Sequence, residues 1–137
     1  MQYSFVLYYF DRNVILEHST KNRSDMEMLK SHTILDTYLD GCEITPRINI
    51  IDNKYPKALK TIIRERTMKY QLVNIHKYHI STTERDITTF KNHCIASVCS
   101  TDKYLPIYLW DLLPEQTVVT LNLVQNNQIN PWLCAKY

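Results

Sequence analysis

Apolar and polar positions along the chain follow two periods, and the changes between them mark out the elements. Tyr3 to Phe10 (YSFVLYYF) is aromatic and β-branched, Asp11-Arg12-Asn13 is turn chemistry, and Val14 to His18 (VILEH) resumes strand composition, which predicts a hairpin. Ser24 is then placed to cap a helix with Asp25 and Glu27 in its first turn. Met28, Leu29, His32, Leu35, Tyr38 and Leu39 recur at helical spacing, and Gly41 is placed to stop it. Pro46 introduces a short strand, Arg47 to Ile51 (RINII), whose apolar run is followed at once by Asp52-Asn53. The segment from Pro56 (PKALKTIIRERT) reads as a helix with proline near its start, and Lys69 to Ile75 (KYQLVNI) as another strand.

Beyond the polar loop His76 to Ser81, Thr82 or Thr83 can cap a helix carrying Glu84, with Ile87, Phe90, Cys94, Ile95 and Val98 on one apolar stripe. Pro106 opens a last long helical segment, with Leu109, Trp110, Leu113, Val118, Leu121 and Val124 as its buried side and Pro114 as a kink, and the polar NNQINP run ends it. The order β-β-α-β-α-β-α-α predicts an α/β fold in which an antiparallel hairpin precedes strands joined by helices. At 137 residues and 45% hydrophobic, the chain is sized for one domain, 1–137.

Composition narrows the function classes. The 16 basic and 14 acidic residues leave a net charge of +2, so any surface for a polyanion has to be local. Cys42, Cys94, Cys99 and Cys134 lack a framework spacing, and the N-terminus has no basic region ahead of its apolar run, so a reduced, cytoplasmic or nuclear protein is expected. The longest apolar runs are far short of the roughly 20 residues of a membrane helix. Gly41 is the single glycine, against a usual share of about 7%, so backbone with positive φ must be carried by other residues.

Two carboxylates stand out by context. Asp52 falls at a strand's C-terminal end and Glu84 in a helix's first turn, and each has an ordinary reading: turn chemistry for Asp-Asn, and a glutamate favoured by the helix dipole. Together, in this order, they resemble the integrase catalytic core of retroviruses and Copia-type retrotransposon polyproteins. Thr83-Glu84-Arg85, Ile87 and the run Thr89-Phe90-Lys91-Asn92-His93 look like the family's helix with the last catalytic glutamate. Leu105-Pro106-Ile107, Leu109-Trp110-Asp111, Thr120-Leu121-Asn122-Leu123 and Ile129-Asn130-Pro131 look like the family's segment beyond that glutamate. Between Asp52 and Glu84 lie 31 residues, near the family's interval of about 35.

The resemblance implies an RNase H-like mixed sheet flanked by helices, Mg²⁺ or Mn²⁺ held by Asp52 and Glu84, and cleavage and strand transfer on DNA. It also implies DNA contacts from Lys91, Lys77 and His79, and a homo-oligomer or a polyprotein neighbour as partner. In that family the first aspartate lies on a central strand ahead of the hairpin. Here the hairpin begins almost at Met1, so that strand and its metal ligand are expected to be absent, leaving two sheet halves with open edges suited to strand addition and a chain inactive in isolation. Asp11, in the hairpin turn, is at the wrong position to replace it. His76-x-x-His79 with Cys94-x-x-x-x-Cys99 is too loosely spaced for a zinc site, and zinc is not expected. Trp110, Phe90 and the tyrosines read as core or sheet-surface residues rather than stacking platforms.

Overall fold

The computed structural model describes residues 3–51, 55–66, 69–72 and 82–135. The chain divides into two compact units, one formed by Met1–Phe5 with His18–Ser81 and the other by Val6–Glu17 with Thr82–Tyr137. The expected hairpin is present as β1 (Tyr3–Tyr9) and β2 (Val14–Thr20), which form a two-stranded sheet. Its open end belongs to the first unit and its turn end to the second. The turn is closed by the Asn13 amide donating to the Phe10 carbonyl at 3.1 Å, with Asn13 itself at φ 58°, a left-handed conformation that asparagine tolerates better than most residues.

In the first unit, α1 (Asp25–Gly41) starts as its sequence dictates, with the Ser24 hydroxyl accepting from the Glu27 amide at 3.3 Å. Gly41 is the last helical residue rather than the stop signal. The left-handed position falls on Glu43 (φ 57°), and a Cβ at Gly41 would meet nothing within 4 Å. The Ile44 amide then donates back to the Leu39 carbonyl at 2.9 Å, and Ile44 is buried, so the turn is held by packing as well as by its hydrogen bonds.

Strands β3 (Ile48–Ile51) and β4 (Lys69–Leu72) run parallel, with Ile48 beside Lys69 and Ile51 beside Leu72. The connecting α2 (Lys57–Glu65) follows Pro56, as expected of proline at a helix start. Ile51, Leu59 and Ile63 form the core of this βαβ element, with Leu29, Tyr55 and Tyr70 against it. Leu59 and Ile63 are wholly buried, each contributing roughly 1.5–3 kcal/mol. Residues 73–75 of the expected second strand lie outside the described residues, as does the loop to Ser81.

In the second unit, α3 (Thr82–Ser100) and α4 (Leu113–Val124) pack with β2 around Ile15, Phe90 and Leu121, joined by Val6, Tyr8, Cys94 and Val118. Two expectations are corrected here. The α3 stripe is buried only in its first half, since Phe90 is 5% exposed while Ile95 is 61% and Val98 36% exposed. The single kinked helix from Pro106 is instead a 3₁₀ segment, Ile107–Leu112, followed by α4, with Pro114 in the first turn where its missing N–H costs nothing. The change from three to 3.6 residues per turn resets the phase of the stripe. The buried side of α4 is therefore Pro114, Thr117, Leu121 and Asn122, whereas Trp110 and Val124 are exposed and Trp110 is no core residue.

At Ile15 the outer edge of β2 is closed by a side chain. Asn122 Oδ1 accepts from the Ile15 amide at 2.9 Å and its Nδ2 donates to the Ile15 carbonyl at 2.7 Å, an amide reproducing the pairing of a neighbouring strand. Past α4 the chain doubles back. Ala135 N donates to Gln125 O at 2.8 Å, Asn127 N to Leu133 O at 2.9 Å, and Asn126 and Cys134 form an antiparallel bridge.

Candidate functional site

Helix α3 places the second carboxylate of the sequence pair as expected. Glu84 stands half-buried in the first turn, where the helix dipole favours an anion, and its carbonyl accepts from the Thr88 hydroxyl at 2.8 Å. Lys91 follows two turns along the same face and is exposed. Strand β3 runs to Ile51, the residue before Asp52 in sequence, and Asp52, Lys77 and His79 themselves lie outside the described residues. Asp11 is exposed in the hairpin region and accepts from the Tyr9 hydroxyl at 3.2 Å. The four cysteines are free thiols.

A third carboxylate was missed by sequence reasoning. Asp86, two residues after Glu84, is only 7% exposed, and among the described residues its Oδ2 has no hydrogen-bond partner. The signal was present in the spacing, because Asp86 lies one turn before Phe90 and so on the buried side of α3. Burial pushes its carboxyl above the usual carboxylate range, the neighbouring Arg85 working against this. The Tyr8 phenol is raised in turn, first by burial and then by the charge of Asp86. Tyr8 donates to Asn13 Oδ1 at 2.9 Å, and Asn13 Nδ2 donates to the Asn126 carbonyl at 3.1 Å. Cys94, on the same helix, is a structural thiol. Burial raises its pKa, against the lowering effect of its contact with Thr117.

The first unit has its own buried ionic group. His32 and Asp36 lie one turn apart on α1, both nearly inaccessible, with Nδ1 and Oδ2 3.0 Å apart but not aligned as a hydrogen bond. Arg66, capping α2, reaches Asp36 at 3.4 Å and Asp40 at 3.5 Å, tying the end of α2 to α1. Burial and the nearby Asp36 push the Tyr55 phenol well above its ordinary value. His18 Nδ1 lies 3.0 Å from Ser31 Oγ. Because that hydroxyl donates to the Glu27 carbonyl, Ser31 accepts, and His18 carries its proton on Nδ1.

Among the described residues, no group of three or more His, Cys, Asp or Glu side chains is gathered that could hold a metal ion. Oxygen ligands of the type Mg²⁺ prefers are present at Glu84, but one carboxylate is not a metal centre. The described residues thus do not fit a divalent-cation site on their own, and no chemical step is assigned to one.

No family model and no curated protein sequence matches the chain. Solved structures do. The HTLV-2 integrase catalytic core domain in complex with magnesium aligns in its trimeric form with a TM-score of 0.63 at 13% identity, over 89% of this chain and 82% of that one. In its dimeric form it aligns with a TM-score of 0.64 at 13% identity, over 93% and 92%. The fold is similar to that of retroviral integrase catalytic cores. A chain of the simian T-cell lymphotropic virus intasome, in complex with PP2A regulatory subunit B56 gamma, aligns with a TM-score of 0.71 at 14% identity. That alignment covers 90% of this chain but only 43% of the intasome chain. The likeness is one of fold, and it agrees with the mixed α/β architecture expected from the sequence. No helix among the described residues is long and apolar enough to cross a membrane.

Proposed function

We propose that this chain is an integrase-like domain of retroelement origin, of the Copia type. The observation that supports the reading most is the likeness of fold to integrase catalytic cores over about nine-tenths of the chain. The placing of Glu84 in the first turn of α3 and of β3 directly before Asp52 accords with it. The role inherited in this reading is metal-dependent phosphodiester cleavage and strand transfer, with Asp52 and Glu84 as ligands of Mg²⁺ or Mn²⁺ and Lys91, Lys77 and His79 as contacts to DNA phosphates. A homo-oligomer or a neighbouring polyprotein domain would complete the assembly.

Two carboxylates are too few for a two-metal centre, so the 137-residue chain by itself is inactive in this reading. The test is Mg²⁺- and Mn²⁺-dependent nicking and strand transfer on duplex DNA, for this chain and for a version extended by a strand carrying an aspartate. The expected result is no activity in the first, and activity in the second that Asp52→Asn or Glu84→Gln abolishes. Nicking by the unextended chain that Asp52→Asn removes would overturn the inactive reading, and an extended chain indifferent to both substitutions would overturn the site.

A second reading, a non-catalytic module that binds DNA or protein through an open sheet edge, draws on a separate observation. Each sheet formed by the described residues has only two strands.

A further inference from the structure

Beside β4 lies a shallow depression of about 690 Å³ lined by Arg64, Lys69, Tyr70, Gln71 and Leu72. Successive residues of a strand point to opposite faces, so a depression touching four in a row runs along the strand's edge rather than over one face. With β3 paired on one side, that edge is the outer one, and among the described residues no other strand pairs with it. The Lys69 amide donates to the Arg47 carbonyl at 3.1 Å, which turns the peptide groups of Lys69 and Gln71 toward β3. By alternation those of Tyr70 and Leu72 face outward, offering two N–H donors and two C=O acceptors along the depression.

The charged residues described along the depression are of one sign. Arg64 Nη2 donates to the Tyr70 hydroxyl at 2.6 Å and its guanidinium sits 5.1 Å from the Tyr70 ring centroid, so the cation is held beside the edge with further N–H groups left over for a carboxylate. Lys69 adds a second cation, and among the described residues the lining includes no acidic one. A second copy of β4 would bring Arg64 and Lys69 against themselves, so self-pairing is disfavoured. A nucleic acid would match the cations, but a phosphodiester has no donors for the two outward carbonyls. An extended peptide supplies donors and acceptors in the required alternation, and acidic side chains supply the charge.

We infer that the outer edge of β4 is a docking site for an acidic, extended segment of another protein, which adds to the β3–β4 sheet as a third strand, with a carboxylate on Arg64 and Lys69. The inference does not depend on the integrase reading, since neither Asp52 nor Glu84 takes part.

The probe is a labelled peptide alternating glutamate and valine over about ten residues, long enough to span the edge, titrated against the whole chain by fluorescence anisotropy. The same peptide N-methylated at alternate positions loses its backbone donors and leaves the protein untouched. It is expected to bind at least about tenfold more weakly, as is a lysine-for-glutamate version, and Arg64→Glu is expected to weaken the parent peptide by a similar factor. Hydrogen exchange in the complex should slow at the Tyr70 and Leu72 amides. Equal binding of the N-methylated and parent peptides overturns strand addition, and equal binding of the lysine version overturns the charge assignment. Binding of a single-stranded oligonucleotide that depends on Arg64, with no binding of the peptide, assigns the edge to nucleic acid and overturns the proposal.

Discussion

Each two-stranded sheet packs on a trio of buried apolar residues, Ile51, Leu59 and Ile63 for β3 and β4 and Ile15, Phe90 and Leu121 for the turn end of the hairpin, yet their outer edges are treated differently. At β2 the amide of Asn122 takes the place of a neighbouring strand and satisfies a donor and an acceptor of the wholly buried Ile15. At β4 the described edge is cationic and lined by exposed or half-buried residues. The buried charges differ in the same sense. Asp36 is set between His32 and Arg66, whereas Asp86 is buried with one oxygen unmatched among the described residues. A sheet edge inside a core has to be closed by the molecule's own groups, because an unpaired buried peptide costs about 1–3 kcal/mol, while an edge facing solvent can wait for a partner.

Four substitutions would sharpen or break this contrast. Phe90→Ala removes the aromatic centre of the second unit and should cost about 4 kcal/mol, read from denaturant unfolding. Its loss of amide protection should fall on Val14–Glu17 and α3, and equal loss in β3 and β4 would dissolve the distinction between the units. Leu59→Ala, at a wholly buried position, should cost about 3 kcal/mol, with the loss centred on β3, α2 and β4. Asn122→Leu keeps the branching at Cγ but strands the Ile15 N–H and C=O, and should cost about 2 kcal/mol and speed exchange of the Ile15 amide. A cost near zero would mean that the edge needs no closure.

The smallest effect concerns pH. Because the folded state holds the Asp86 proton to higher pH than the unfolded chain does, the contribution of Asp86 to stability is greatest below the ordinary carboxylate pKa of 3.8 and falls as pH rises from there, levelling once the folded group ionises. Asp86→Asn should flatten that part of the stability profile and modestly stabilise the protein at neutral pH. A profile unchanged by the substitution would place the titration elsewhere.

The elements were legible in the sequence wherever one period ran without interruption. The hairpin, the Ser24 cap, the Pro56 helix start and the Glu84 helix come directly from turn, cap and apolar spacing. The region from Pro106 was misread because 3₁₀ and α periods adjoin there, and a stripe counted across the junction puts Trp110 inside when it is 46% exposed. Of the site, the helix position of Glu84 could be read from the chain, and the burial of Asp86 was legible in its place one turn before Phe90 on the apolar stripe, but spacing alone carries no sign that one of its oxygens is left unmatched among the described residues. Asn122 carried no local signal. Its role comes from pairing with a strand more than a hundred residues away, and only the tertiary fold brings that about.

That separation bears on how the chain acquires its structure. The Asn122–Ile15 clasp spans 107 positions, and the second unit is assembled from Val6–Glu17 and the segment from Thr82 onward, whereas most of the first unit is continuous from His18 to Ser81. During synthesis the first unit has all its residues before α3 emerges. Val14, Ile15 and Leu16 must wait, an apolar strand with an unsealed edge, until α4 has been made. Long-range closure of this kind is slow, and the interval is when the chain is most open to wrong pairing and to capture by chaperones.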